Sequence, residues 1–136
     1  MNSSEDHNRH LIGRWYLEMW NDWDKGVIPA IVDEQISFRG SLGREQRGHE
    51  GLREYMDYIR AAFPDFHNEI ELVITEGHQS FAKLKYSGTH TGEILGVAPT
   101  HRKIAYWGSA IFTFLDGKIM DVWVLGDIYG LLKQLQ

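Results

Sequence analysis

The stretch "DGKIMDVWVLGDIYGLLKQL", residues 116–135, decides how the chain is read. Asp116-Gly117 is a hairpin signal, because a two-residue turn of the favoured twist needs positive φ at both positions and this pair tolerates it. "KIMDVWVL" then alternates as a returning strand, and after Gly126 the apolar spacing becomes that of a short terminal helix. Asp127 stands at the junction. As an N-cap it would accept backbone N–H groups at the positive end of the helix dipole. As an acid or base at a cavity mouth it would work against those same bonds, which lower a carboxyl pKa.

Outward from this stretch, the second half of the chain is extended. "FHNEIELVITEG", "HQSFAKLKYSGTHTGEIL" and "RKIAYWGSAIFTF" alternate, with Lys83 and Lys85 opposite Ala82, Leu84 and Tyr86. The first half is helical. Leu11, Ile12, Trp15, Tyr16, Met19 and Trp20 recur at helical spacing, and "NDWDKG" breaks the run. A short helix is predicted over about residues 25–33, with Pro29 acceptable only in its first turn. "QISFR" reads as a short strand and "GSLGREQRGHEG" as a loop. A third helix runs from Gly48 or His49 to Phe63, with Leu52, Tyr55, Met56, Ile59 and Phe63 as its stripe, and Pro64 stops it.

Helices followed by long antiparallel strands and a last helix make an α+β domain over residues 1–136. A strongly curved sheet folded over such helices would leave a cone-shaped hollow, walled by strand residues of one parity.

Composition limits the functions open to such a domain. With a net charge of −5 and no basic cluster, the chain lacks the cationic face that phosphate backbones require. No apolar run approaches the roughly 20 residues that span a bilayer, and "MNSSEDHNRH" lacks the basic-then-apolar form of a signal peptide. There is no cysteine, hence no disulfide framework, thiol nucleophile or thiolate metal site, which fits a cytoplasmic protein. No HExxH motif and no phosphate loop occurs, and the serines have no G-x-S-x-G setting, so no metal or cofactor is expected.

In this order, "GHEGLREYM", "FPDFHNEIE", "GTHTGE", "PTHRKI", "DGKI" and "DIYGLLKQL" resemble the SnoaL-like polyketide cyclase (ester cyclase) family of the nuclear transport factor 2-like superfamily. The resemblance covers about residues 8–135. It implies a cone-shaped α+β fold with a curved antiparallel sheet, and pairing of two subunits through the outer sheet face. It also implies cofactor-free ring closure by intramolecular aldol condensation, with an aspartate on the last strand as acid and base. Aligned on "DGKI" without gaps, that aspartate falls at Val124, and its assisting glutamine and histidine fall at Gly108 and Ala110. A valine cannot take a proton from carbon.

Other residues are candidates for the chemistry. His90, in "GTHTGE", matches a family histidine and is a general base suited to neutral pH; equally, it could bond a loop carbonyl. His49 opens the third helix, where the dipole favours the neutral imidazole; its bland role is to anchor the loop. Tyr106 could donate to a developing oxyanion. If Val124 faces inward, Met120 and Val122 do too. Tyr106, Gly108, Ala110 and Phe112 share the inward parity on the neighbouring strand, and Tyr55, Ile59, Phe63 and Phe38 face them. Such a wall, bared at Gly108 and Ala110, suggests room for a flat apolar ligand; alternatively these side chains only pack one another. Trp107 and Trp123 lie on the opposite parity, and tryptophans exposed there need a cover, so a homodimer is expected.

Two ligand-dependent functions and one structural role follow. One is a cofactor-independent cyclase, isomerase or hydratase acting on an apolar polyketide-like or terpenoid-like metabolite. The other is a non-catalytic module that binds a hydrophobic small molecule in the same cone. A dimeric interaction domain with a filled core is a third.

Overall fold

A computed structural model describes residues 3–136 and contains four α-helices and six strands. The first helix, α1 (Ser3–Gly13), continues without a break into a π-helical segment, Arg14–Trp20, which the apolar periodicity alone does not distinguish from α-helix. Trp15, Tyr16, Met19 and Trp20 are its buried residues. The second predicted helix is shorter than expected. A 3₁₀ turn, Lys25–Val27, leads into the single turn α2 (Ile28–Ile31), with Pro29 in the first turn where its missing N–H costs nothing.

The chain is already extended at Val32, so β1 (Val32–Arg39) is longer than "QISFR". The loop after it contains a three-residue strand, β2 (Glu45–Arg47), too short to leave an alternating signal. Helix α3 (Gly48–Ala62) buries Leu52, Tyr55, Met56 and Ile59 as its stripe predicts and ends before Pro64. Strands β3 (His67–Glu76), β4 (Gln79–Thr89), β5 (Lys103–Leu115) and β6 (Lys118–Gly126) follow, and α4 (Ile128–Gln134) closes the chain. Asp116 and Gly117 both have positive φ, 50° and 78°, as the tight β5–β6 turn demands.

The six strands form one sheet in the order β2-β1-β6-β5-β4-β3. Long antiparallel ladders join β3 to β6, whereas β1 runs parallel to β6, with Phe38 beside Val122. The sheet is therefore mixed, not wholly antiparallel, and it is open, since β2 and β3 are its edges. The fold is α+β, as expected.

Ile104, Tyr106, Ala110, Phe112 and Phe114 of β5 are buried against the helices. On β6 the parity is interrupted. The pairing steps from Thr113–Asp121 to Phe114–Ile119, leaving Met120 as the extra residue of a bulge. Ile119, Val122 and Val124 point inward, so the expectation that Met120 shares their face is corrected. Each large apolar side chain so buried stabilises the fold by about 1.5–3 kcal/mol.

Candidate functional site

The interior of the cone is filled mainly by rings. Trp15 meets Phe38 and Phe112 at 5.7 Å, Phe38 meets Tyr55 at 5.0 Å, Phe66 stacks on Tyr86 at 5.6 Å, and Tyr86 meets Tyr106 at 4.9 Å. Among them remains a cavity of about 20 Å³, space for a single water. The π-helical segment contributes Trp15, Tyr16 and Trp20 to its wall, α3 contributes Tyr55 and Ile59, and β1 with its following loop contributes Phe38 and Ser41. Phe66 and Asn68 come from the start of β3, Tyr86 from β4 and Val124 from β6.

The roomy hollow inferred from the sequence is therefore reduced to this small space. Gly108 is not bare: a Cβ built there would overlap the Tyr86 ring, which covers the glycine. Likewise a Cβ at Gly40 would overlap the hydroxyl end of Tyr55. Both tyrosines reach the centre because the strand or loop facing them has no side chain.

Of the residues expected to line a ligand site, Phe38, Tyr55, Ile59 and Val124 do face the cavity. Phe63, Ala110, Phe112 and Val122 are buried but pack behind that wall, Phe112 against Trp15 and Tyr16, Phe63 against Phe66.

The four catalytic candidates are not brought together. Tyr106 is fully enclosed, and its hydroxyl bonds Ser41 Oγ at 2.9 Å. His90 is buried outside the cavity wall, with its ring 5.8 Å from Phe63. Its Nδ1 accepts the Thr100 backbone N–H at 3.1 Å and lies 2.9 Å from Thr100 Oγ1, so the imidazole ties the loop between β4 and β5. Its Nε2 is buried without a partner. His49 Nε2 donates to Val32 O at 2.9 Å, an anchor between α3 and β1. Asp127 is an exposed N-cap: its Oδ1 accepts Gly130 N–H at 2.9 Å, and a Cβ at Gly130 would strike its carboxylate.

The polar side chains on the cavity wall are Ser41, Asn68 and the phenols of Tyr16, Tyr55 and Tyr86, with Tyr106 behind them. Burial pushes the hydroxyls of Tyr16, Tyr86 and Tyr106 well up from the ordinary value, and that of Tyr55 up to about 12. All four stay protonated at neutral pH and can donate but not abstract. Tyr55 Oη lies near Ser41 and the Leu42 amide yet makes no hydrogen bond of good geometry with either. Asn68, buried beside it, is held by Asn21. No carboxylate or imidazole is on this wall.

Sequence reasoning passed over Trp15, Tyr16, Trp20, Ser41, Phe66, Asn68 and Tyr86 as wall residues. Asn68 alone carried a signal, a lone polar residue on the inward parity at the start of β3.

A larger space, about 590 Å³, lies outside the cone between β1, β2, β6 and the start of α3. It is open and charged, with Arg39, Arg47, Glu45, Glu50, Glu54 and Asp121 around it. Partial burial raises the Asp121 carboxyl, and Arg47 opposes that rise. Such a cleft does not suit a greasy ligand. Among the described residues, no group of three or more His, Asp or Glu is placed to hold a metal ion. No helix there is long and apolar enough to cross a membrane.

Residues 10–135 match the family described as SnoaL-like polyketide cyclase. No curated protein matches the sequence. Among solved structures, a candidate SnoaL-like polyketide cyclase from a Jannaschia species superposes with a TM-score of 0.91, at 19% identity, covering 99% of this chain and 95% of that one. A candidate polyketide cyclase from Bacillus cereus is 29% identical, with a TM-score of 0.79, covering 95% of this chain and 80% of its own. AclR, a candidate hydroxylase from Streptomyces galilaeus, is 24% identical, with a TM-score of 0.81 and coverage of 96% and 85%.

Proposed function

We propose, for a chain that belongs to the SnoaL-like polyketide cyclase family, a cofactor-independent enzyme of the cyclase or isomerase type. It holds an apolar, polyketide-like or terpenoid-like metabolite inside the cone by a carbonyl oxygen. The observation that carries this reading is the Tyr55 hydroxyl, buried and unbonded beside the Ser41–Tyr106 pair. A buried hydroxyl left unsatisfied costs about 1–3 kcal/mol, and a carbonyl oxygen placed against it would remove that cost.

Donors fixed in dry surroundings act most strongly on an oxygen whose negative charge grows in the transition state. Tyr55 is such a donor for an enolate or alkoxide, and Tyr106 stands behind it through Ser41. Proton removal from carbon has no resident base, because Val124 occupies the carboxylate position and His90, His49 and Asp127 serve the fold elsewhere. The chemistry that suits this wall is aldol-type ring closure of a substrate that is already enolised: the enol carbon bonds the polarised carbonyl carbon, whose π bond breaks, and the enol O–H proton passes to the alkoxide that forms. The candidate polyketide cyclase from Bacillus cereus supports a cyclase-type reading.

The test is turnover of a panel of enolisable diketones by Tyr55→Phe and Tyr106→Phe. Loss of one such donor should lower kcat about 10²-fold with the fold intact, and unchanged turnover in both variants would refute the assignment.

A second reading, a binding module without turnover, is favoured by the absence of any carboxylate or imidazole on the cavity wall. It requires that a bound ligand be recovered chemically unchanged by mass spectrometry. Under either reading the protein is a cytoplasmic homodimer joined by the outer sheet face, where Phe81, Trp107, Ile111, Trp123 and Leu125 are exposed.

A further inference from the structure

The cavity has space for a single water, so any larger ligand needs the wall to part, and the walls differ in how firmly they are held. Phe38, Tyr86 and Val124 sit on strands paired on both sides. Tyr55 and Ile59 belong to a 15-residue helix with a buried apolar stripe. Trp15 is packed on Phe38 and Phe112 and Tyr16 on Phe112, and Ser41 is bonded to Tyr106. The wall where Trp20 meets Phe66 and Asn68 is built differently. Strand β3 is an edge, with β4 as its sole neighbour in the sheet.

One side chain ties that edge to the π-helical segment. Asn21 donates from Nδ2 to Asn68 O at 3.0 Å and accepts at Oδ1 from Asn68 N at 2.8 Å and Asn68 Nδ2 at 3.3 Å. Asn21 thus imitates a neighbouring strand at the open edge of β3. It is only partly buried, so water can replace its bonds as they part, whereas separating β4 from β5 would break a whole ladder.

Beyond Asn21 the chain is fixed to α3 instead. Trp23 has φ 56°, a left-handed conformation that bulky residues seldom adopt. The Arg60 guanidinium lies over its ring at 5.1 Å, and Lys25 is paired with Asp57. The segment before this pivot is π-helical, with Asn21 N–H bonded back to Tyr16 O at 2.9 Å, and widened turns are frequent at functional sites. Trp20 meets Trp23, Tyr55 and Phe66 edge-on, so its displacement would uncover the Tyr55 side of the cavity.

We infer that the Asn21–Asn68 pair is the latch of a gate, and that the end of the π-helical segment, Trp20–Asn21, swings away from β3 about the Trp23 pivot to admit an apolar ligand between Trp20 and Phe66. This inference rests on the reading of the cavity as the ligand site. The latch itself is a property of the unliganded chain.

The chain has no cysteine, so an Asn21→Cys/Asn68→Cys variant can be bridged selectively with a short thiol-to-thiol linker. The bridged protein is expected to take up and release a neutral fluorescent naphthyl ketone about tenfold more slowly than before bridging, and Asn21→Ala about tenfold faster than the unaltered chain. Deuterium exchange without ligand gives a second readout. Asn21→Ala should speed exchange in residues 20–22 and 66–69 about tenfold and leave β5 and β6 unchanged. Probe exchange unaffected by the bridge, or acceleration spread evenly over the sheet or missing from those two segments, would overturn the gate. Should the unaltered chain take up no probe, the ligand reading fails, and the exchange comparison decides the latch on its own.

Discussion

The ring of Tyr86 lies over Gly108 in the space that any side chain at that position would need. The residue that looked like an opening in the wall is the seat of a plug. Tyr55 and Gly40 repeat the arrangement on the opposite side, so two glycines admit the two tyrosines that close the cone.

These seats should be measurable as steric couplings. Gly108→Ala is expected to destabilise the fold by about 1–3 kcal/mol, the usual cost of overpacking. In a Tyr86→Leu background the same change should cost less than half as much. Denaturant unfolding of the four proteins in this cycle gives the coupling directly, and additive costs would show that Tyr86 yields freely.

The buried hydroxyls should respond in opposite ways to removal. Tyr106→Phe strands Ser41 Oγ without its partner and should cost about 1–2 kcal/mol. Tyr55→Phe deletes a group that has no partner and should be neutral or stabilising. A large loss of stability in Tyr55→Phe would mean that its hydroxyl is bonded in solution.

Asp127→Ala should cost about 1 kcal/mol through the lost helix cap and leave ligand affinity unchanged. A large fall in affinity or turnover with unaltered stability would return this carboxylate to the chemistry.

Alkali should unfold the protein through its phenols. The folded pKa of Tyr55 is raised to about 12 from the ordinary 10, so the folded chain holds its proton more tightly than the unfolded one. That contribution is complete below pH 10 and is lost as pH climbs toward 12. Tyrosinate absorbance from the interior should appear together with loss of tertiary structure, and its appearance in a fully folded protein would contradict the burial.

The outer face gives the last prediction. Trp107 is 43% exposed and Trp123 40%, flanked by Lys83 and Lys85 over the Trp107 ring and by Arg39 over that of Trp123. Light scattering should report two chains, and the Trp107→Glu/Trp123→Glu variant should report one, with unchanged secondary structure. A single-chain mass for the unaltered protein would remove the dimer.

The local grammar of the chain settled much by itself. The α3 stripe, the Asp116-Gly117 turn, the inward parity of β4 and β5 and the capping role of Asp127 all follow from neighbours a few residues apart, because backbone geometry and side-chain alternation are local properties. What needed the folded chain were relationships between distant residues. The parallel pairing of β1 with β6, the Met120 bulge and the short β2 depend on where a strand's partner lies. So does the site: Gly108 reads as empty space until Tyr86, from the next strand, is laid across it, and Asn21 reads as a helix breaker until it meets Asn68. Occupied volume and hydrogen-bond partnership are fixed by contacts across the fold, and no periodicity in the sequence records them.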